Sequence, residues 1–253
     1  MKKIIDYFKN FNKEKKLENF SIIFLILAFL LGYIGLSILA IIVEGCFYLA
    51  PDIVEGLGEA NFSAIHLFTT YLLLTIIVII ISISYKKITY ALKKQIKDKP
   101  ALIEGLSFGA IALALSMGYS VISSMLFPHD SNNNQQGIEL AFEAQPLLIA
   151  ISVSVFAPIC EEFSYRIGLL GACSKKSNII GFLVSMLIFA LIHFDFMAED
   201  IVNELINLPG YLIGGIVLAC AYFKRGNIFT SVIAHSVYNF CQTLLMILGA
   251  ILA

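Results

Sequence analysis

Three short stretches of a mostly apolar chain carry groups able to move protons. They are CEEFSYR with Glu161, Glu162 and Arg166, FALIH ending in His193, and AHSVYN with His235 and Asn239. An ionisable group at mid-bilayer costs from about 2.5 to about 17 kcal/mol depending on how it is measured, so each one inside an apolar run asks for a purpose. Carboxylates and imidazoles act as general bases and as metal ligands, and an imidazole beside an amide can donate to a developing oxyanion. These residue types therefore point to hydrolysis, or to ion or proton binding, within a membrane.

Helical spacing limits which of them can meet. Glu162 and Arg166 are four apart, share a face and can pair, whereas Glu161 points about 100° away and is left for another role. His235 and Asn239 repeat the spacing and can present an imidazole and an amide to one cavity. Phe189 and His193 repeat it again, with an aromatic ring beneath the histidine. Pro158, three residues before Glu161, removes a helical hydrogen bond, so a kink that could admit water is expected where the acids begin.

The elements that must position these groups are membrane helices. Of 253 residues, 59% are hydrophobic and only 14% charged, with a mean hydropathy of +0.87. Seven stretches are apolar over spanning or near-spanning length: 20–43, 64–84, 106–127, 147–173, 178–194, 205–223 and 228–253. All are expected to be helical, since unpaired backbone in lipid is too costly. The fold class is an all-α polytopic bundle of about seven spans, with an eighth, interfacial helix an option within 44–63. The chain divides into a basic N-terminus (1–19), N-terminal spans (20–145) and a core that holds the chemistry (146–253). The first apolar run, at 24 residues, is longer than the roughly 7–15 of a signal peptide and is read as a retained span. Segment 128–139, PHDSNNNQQGIE, is read as a solvated loop.

Charge gives orientation. Every Lys and Arg except Arg166 falls before the first span or after the second, fourth or sixth, while the other loops carry only acids. Cytoplasmic loops hold the excess of positive charge, which places the N-terminus inside and the C-terminus outside. No basic nucleic-acid patch is present, so the partners expected are the bilayer and a substrate within it. The five cysteines lack the pairing or spacing of a disulfide framework or zinc ribbon. His66 and the glycines of PGYLIGG (Gly210, Gly214 and Gly215) are read as packing residues.

In order and placement, EExxxR (Glu161, Glu162, Arg166), FxxxH (Phe189, His193) and HxxxN (His235, Asn239) resemble the CPBP, or Abi, family of CAAX-type and bacteriocin-processing intramembrane peptidases. The resemblance covers roughly residues 155–240. One departure is Ile167, which stands between the motif arginine and Gly168 where many members have glycine directly. The resemblance implies a peptidase in which Glu161 is the general base and His193 helps position water. His235 and Asn239 would support the oxyanion, and Glu162 with Arg166 and Phe189 would support the site. The family is also commonly labelled metalloprotease, and zinc held by His193, His235 and Glu161 is the rival chemistry. Implied substrates are CAAX-like tails or bacteriocin, pheromone or immunity-related peptides. Residue usage rich in Ile, Lys and Asn suits an AT-rich bacterium and hence a bacterial cell membrane. Two other readings are a transporter using buried Glu and His, and a non-catalytic bacteriocin-immunity protein. A depth problem accompanies all of these: His235 lies roughly 10 Å from the inner end of its span and His193 roughly 22 Å from the inner end of its own, yet they should meet.

Overall fold

A computed structural model of the chain describes residues 20–252; the basic N-terminus at 1–19 lies outside the described residues. Ten helices follow in order: α1 (Ile22–Tyr48), α2 (Pro51–Leu57), α3 (Glu59–Ser84), α4 (Lys86–Gln95), α5 (Lys99–Leu126), α6 (Asn133–Ala144), α7 (Pro146–Ser174), α8 (Asn178–Leu191), α9 (Ile201–Arg225) and α10 (Ile228–Leu252). Six of them, α1, α3, α5, α7, α9 and α10, are long and apolar enough to cross a membrane, and α8 is a shorter apolar helix of 14 residues. The seven apolar stretches thus appear as helices in an all-α bundle. The helix allowed for between residues 44 and 63 is α2.

Local chemistry sets the helix ends. Ser21 caps α1 by accepting from the Phe24 amide, and Pro51 and Pro146 open α2 and α7, where a missing N–H costs nothing. Gly226, at φ 60°, supplies the left-handed residue that ends α9 and turns the chain into α10. One expectation is corrected: 128–139 is a loop only as far as Asn132. The Asn132 side chain accepts from the Gln135 amide at 3.1 Å and starts α6, so most of the polar stretch is helix.

Helix α7 is the axis of the fold, packing against α1, α3, α8 and α10. Its hydrogen bonding widens to the π pattern at Ser152–Phe156 and again at Phe163–Leu170, on either side of Pro158. Such widenings redirect side chains locally and recur at functional sites. The main hydrophobic cluster joins Leu25 and Ala28 of α1, Leu74 and Val78 of α3, and Phe163, Ile167 and Leu170 of α7.

Small residues let α1 and α7 touch backbone to backbone. Ser164 donates to the Ala28 carbonyl at 3.2 Å, and a Cβ on Gly168 would stand 2.5 Å from the Phe29 nitrogen. The glycine displaced by Ile167 thus does its packing one residue later. Gly215 plays the same part between α9 and α8, where a Cβ would meet the Met186 carbonyl at 2.7 Å. Gly168→Ala is expected to push α1 off α7 and to destabilise the protein by about 1–3 kcal/mol, read as a shift in its denaturant midpoint in detergent micelles.

The depth count for His235 depends on the start of α10, and that start is packed under α4. Gln95, closing α4, donates to the Gly226 carbonyl, and its own side-chain and backbone oxygens accept from Ile228 N and Asn227 Nδ2. Asn227 and Ile228 are buried beneath α4, so the first turn of α10 is covered by protein and is not a free end from which to count.

Candidate active site

Successive positions on α7 send the two acids to different environments. Glu162 is fully buried and accepts from Arg166 Nε at 2.8 Å and Nη2 at 3.4 Å. Arg166, also fully buried, donates through Nη1 to Ser185 Oγ of α8 at 2.7 Å, and its guanidinium carbon lies 5.2 Å from the Phe189 ring centre. Ser185 Oγ in turn donates a hydrogen bond to the Tyr165 carbonyl at 3.1 Å. The pair is therefore a cross-brace between α7 and α8.

The other partner of Glu162 is His235 Nδ1, 3.1 Å from Oε1. A carboxylate paired with a guanidinium can only accept, so Nδ1 carries the hydrogen and Nε2 is the ring nitrogen left for chemistry. That Nε2 stands 3.9 Å from Oε2 of Glu161. Oε1 of Glu161 accepts from the Tyr71 hydroxyl of α3 at 3.3 Å, whereas Oε2, though buried, has no hydrogen-bond partner among the described residues.

His193 sits in the turn after α8. Its Nδ1 is 2.8 Å from the Phe189 carbonyl, which again fixes the hydrogen on Nδ1 and leaves Nε2, and its ring stacks on Tyr211 of α9 at 4.5 Å. The Phe189 ring stands 5.1 Å from the His193 ring and 5.6 Å from that of His235, centre to centre. Asn239, one turn beyond His235, donates one amide hydrogen to the Val153 carbonyl in the first π section of α7, at 2.6 Å. Its second N–H remains.

Glu161, Phe189, His193, His235 and Asn239 all line one cavity of about 530 Å³. The cavity extends to Asp130 and Asn134, exposed residues of the 128–139 segment, so it opens on that face of the bundle. Sequence reasoning missed Tyr71, which lies in a span with no motif. It also missed Asn132 and Tyr211, which line the cavity, and Glu204, which stands behind them; the one signal for Glu204 was an acid just ahead of an expected span. His66 does not join them: its Nε2 is 2.9 Å from the Ala40 carbonyl between α3 and α1. At the rim, hydrogen bonds from Asn133 Nδ2 and the Met197 amide hold the Asp195 carboxyl below the usual range.

Both imidazoles hold Nδ1 against the protein and turn Nε2 away, as ligand histidines do. Among the described residues, however, no three His, Cys, Asp or Glu side chains are grouped to hold a metal ion. Glu161, His193 and His235, the donors expected for zinc, line the cavity without forming such a group.

Residues 143–241 match the family model described as type II CAAX prenyl endopeptidase, Rce1-like. A protein of Mycoplasma capricolum subsp. capricolum, named only as uncharacterized, is 28% identical over 167 residues, covering 61% of this chain and 47% of its own length. Bacillus subtilis YdiL, whose name proposes a membrane peptidase, is 31% identical over 109 residues, covering 43% of this chain and 41% of itself. Lactococcus lactis YxdF, a UPF0177 protein, is 27% identical over 169 residues, covering 66% and 89% respectively. The alignments thus span less than half the length of the Mycoplasma and Bacillus relatives. No solved structure matches. The likeness to CPBP-type membrane peptidases holds over the region that carries all three motifs: the chain is an integral membrane protein whose 143–241 region is Rce1-like.

Proposed function

We propose that this protein is an intramembrane endopeptidase in which Glu161 activates water to cut a peptide bond of a membrane-associated peptide or protein. The observation that carries the reading is the unpartnered Oε2 of Glu161, 3.9 Å from His235 Nε2, in a cavity also lined by His193 and Asn239. Water between Oε2 and His193 Nε2 gives its proton to Glu161 as its oxygen attacks the peptide carbonyl carbon. The oxyanion accepts from the second Asn239 N–H and from Nε2–H of His235. With Nδ1–H on Glu162, that ring enters the step as an imidazolium, its Nε2 proton taken up from solvent before the attack. Collapse breaks the C–N bond, and Glu161 returns its proton to the departing amine. The likeness to Rce1-like endopeptidases and the name of YdiL support this reading.

The substrates in view are a CAAX-like tail or a bacteriocin, pheromone or immunity-related peptide at a bacterial cell membrane. With the N-terminus cytoplasmic, the cavity opens outside. Zinc between the two imidazoles and Glu161 is the alternative source of activated water. The test is purified protein in liposomes given quenched-fluorescent peptides of varied sequence, with and without a C-terminal farnesyl group, with metal content measured on the same sample. Cleavage at a defined bond is expected, and its loss on chelation of a stoichiometric metal would select the zinc route. Peptide taken up intact with no product would replace the peptidase with a transporter. Bacteriocin protection in cells without any cleavage would replace it with an immunity protein.

A further inference from the structure

One buried acid takes no part in that chemistry. Glu204, in the first turn of α9, is 1% exposed and does not line the cavity. Its Oε1 accepts from the Asn133 amide at 2.8 Å, and its Oε2 from the Asp195 amide at 3.0 Å and from Asn132 Nδ2 at 3.4 Å. Three N–H donors from two segments, the start of α6 and the turn after α8, thus converge on one carboxylate of α9, charge-assisted contacts stronger than their neutral counterparts.

The segments it gathers are those around His193. Asn132, itself buried, donates through Nδ2 to the His193 carbonyl at 2.8 Å as well as to Glu204. Both of those groups can only accept, which fixes the amide orientation and points Oδ1 the other way. Oδ1 then accepts from the Tyr211 hydroxyl at 2.9 Å, and the Tyr211 ring is the one stacked on the His193 imidazole. His193 is therefore held at its backbone by Asn132 and at its ring by Tyr211, and both holds run back to Glu204.

We propose that Glu204 is a positioning residue: through Asn132 and Tyr211 it sets the imidazole of His193 at the angle from which Nε2 faces the attacking water. His193 lies in the turn that follows α8, where its amide reaches the Ala190 carbonyl and its Nδ1 the Phe189 carbonyl, while its own carbonyl has left the helical ladder and accepts from Asn132. A carboxylate anchor shared by α6, the 193–200 turn and α9 adds a second hold, from the side opposite α8. Glu204→Gln keeps the shape but turns an NH₂ toward amide donors, so the gathered segments separate.

The inference rests on the peptidase reading, and kinetics of the reconstituted protein on the same peptides test it. Glu204→Gln is expected to lower kcat by roughly 10- to 100-fold, the scale seen when the outer support of a working side chain is lost, with KM unchanged because Glu204 stands outside the cavity. Tyr211→Phe, which removes only the hydroxyl, is expected to lower kcat in the same sense by a smaller factor, and it decides the matter if Glu204→Gln does not fold. A merely structural role would reduce the folded fraction and leave kcat per folded molecule alone. Wild-type cleavage with kcat retained in the folded variants overturns the positioning role and spares the peptidase. Absence of cleavage in the wild type overturns both.

Discussion

Glu161→Gln is expected to reduce peptide cleavage by roughly 10²- to 10⁴-fold while leaving the protein inserted and folded, because it removes the general base and little else. The glutamine oxygen can still accept from Tyr71, and the atom that becomes NH₂ is the one with no hydrogen-bond partner among the described residues. Thermal unfolding in detergent should therefore match the wild type, and the rate on a quenched-fluorescent peptide should not. The amide cannot take the water proton or return it to the amine, so the loss falls on kcat. Turnover within a few-fold of wild type would show that another group activates the water. The neighbouring acid makes the contrast: Glu162 has its oxygens tied to Arg166 and His235 and offers none to a substrate.

What the sequence made legible here follows from cost. Charged and imidazole groups are expensive inside apolar runs, so Glu161, Arg166 and His235 stood out, and helical spacing alone paired Glu162 with Arg166. Tyr71 did not stand out, because a tyrosine in a span is unremarkable chemistry until a carboxylate from α7 lies 3.3 Å away. The docking of α1 was hidden for a similar reason: Ala28 and Gly32 against Ser164 and Gly168 are ordinary residues whose meaning is a contact between helices far apart in sequence.

Two other features were obscured by assumptions about ends. Counting depth at 1.5 Å per residue supposes that each helix begins at the membrane surface, and α10 begins beneath α4 instead. Polarity supposed that 128–139 was solvated loop, yet Asn132 is buried and its side chain caps α6, meets Glu204 and bonds the His193 carbonyl. Composition reports how polar a segment is and is silent on what it is polar toward. The acids assigned to outer loops by charge sorting thus include one, Glu204, that organises the roof of the cavity.

Arg166→Leu should be the most damaging substitution to the fold. It would leave the Glu162 carboxylate wholly buried with only His235 and the Ser231 hydroxyl beside it and strip Ser185 of its donor. Removing one member of a buried pair costs about 3–5 kcal/mol, most of it the uncompensated charge left behind. Unfolding in mixed detergent micelles, followed by circular dichroism, should show a loss of that size, and cleavage should disappear with it. Arg166→Lys should recover only part. One ammonium cannot reach Glu162 and Ser185 together in the planar fork that Nε, Nη1 and Nη2 provide, nor lie flat against Phe189. If the brace matters chiefly because a lone buried carboxylate is intolerable, Glu162→Gln added to Arg166→Leu should restore much of the stability and none of the turnover, since His235 would still lack the carboxylate that orients it. Wild-type stability in Arg166→Leu alone would mean that the pair is dispensable and that α7 and α8 are held by apolar packing.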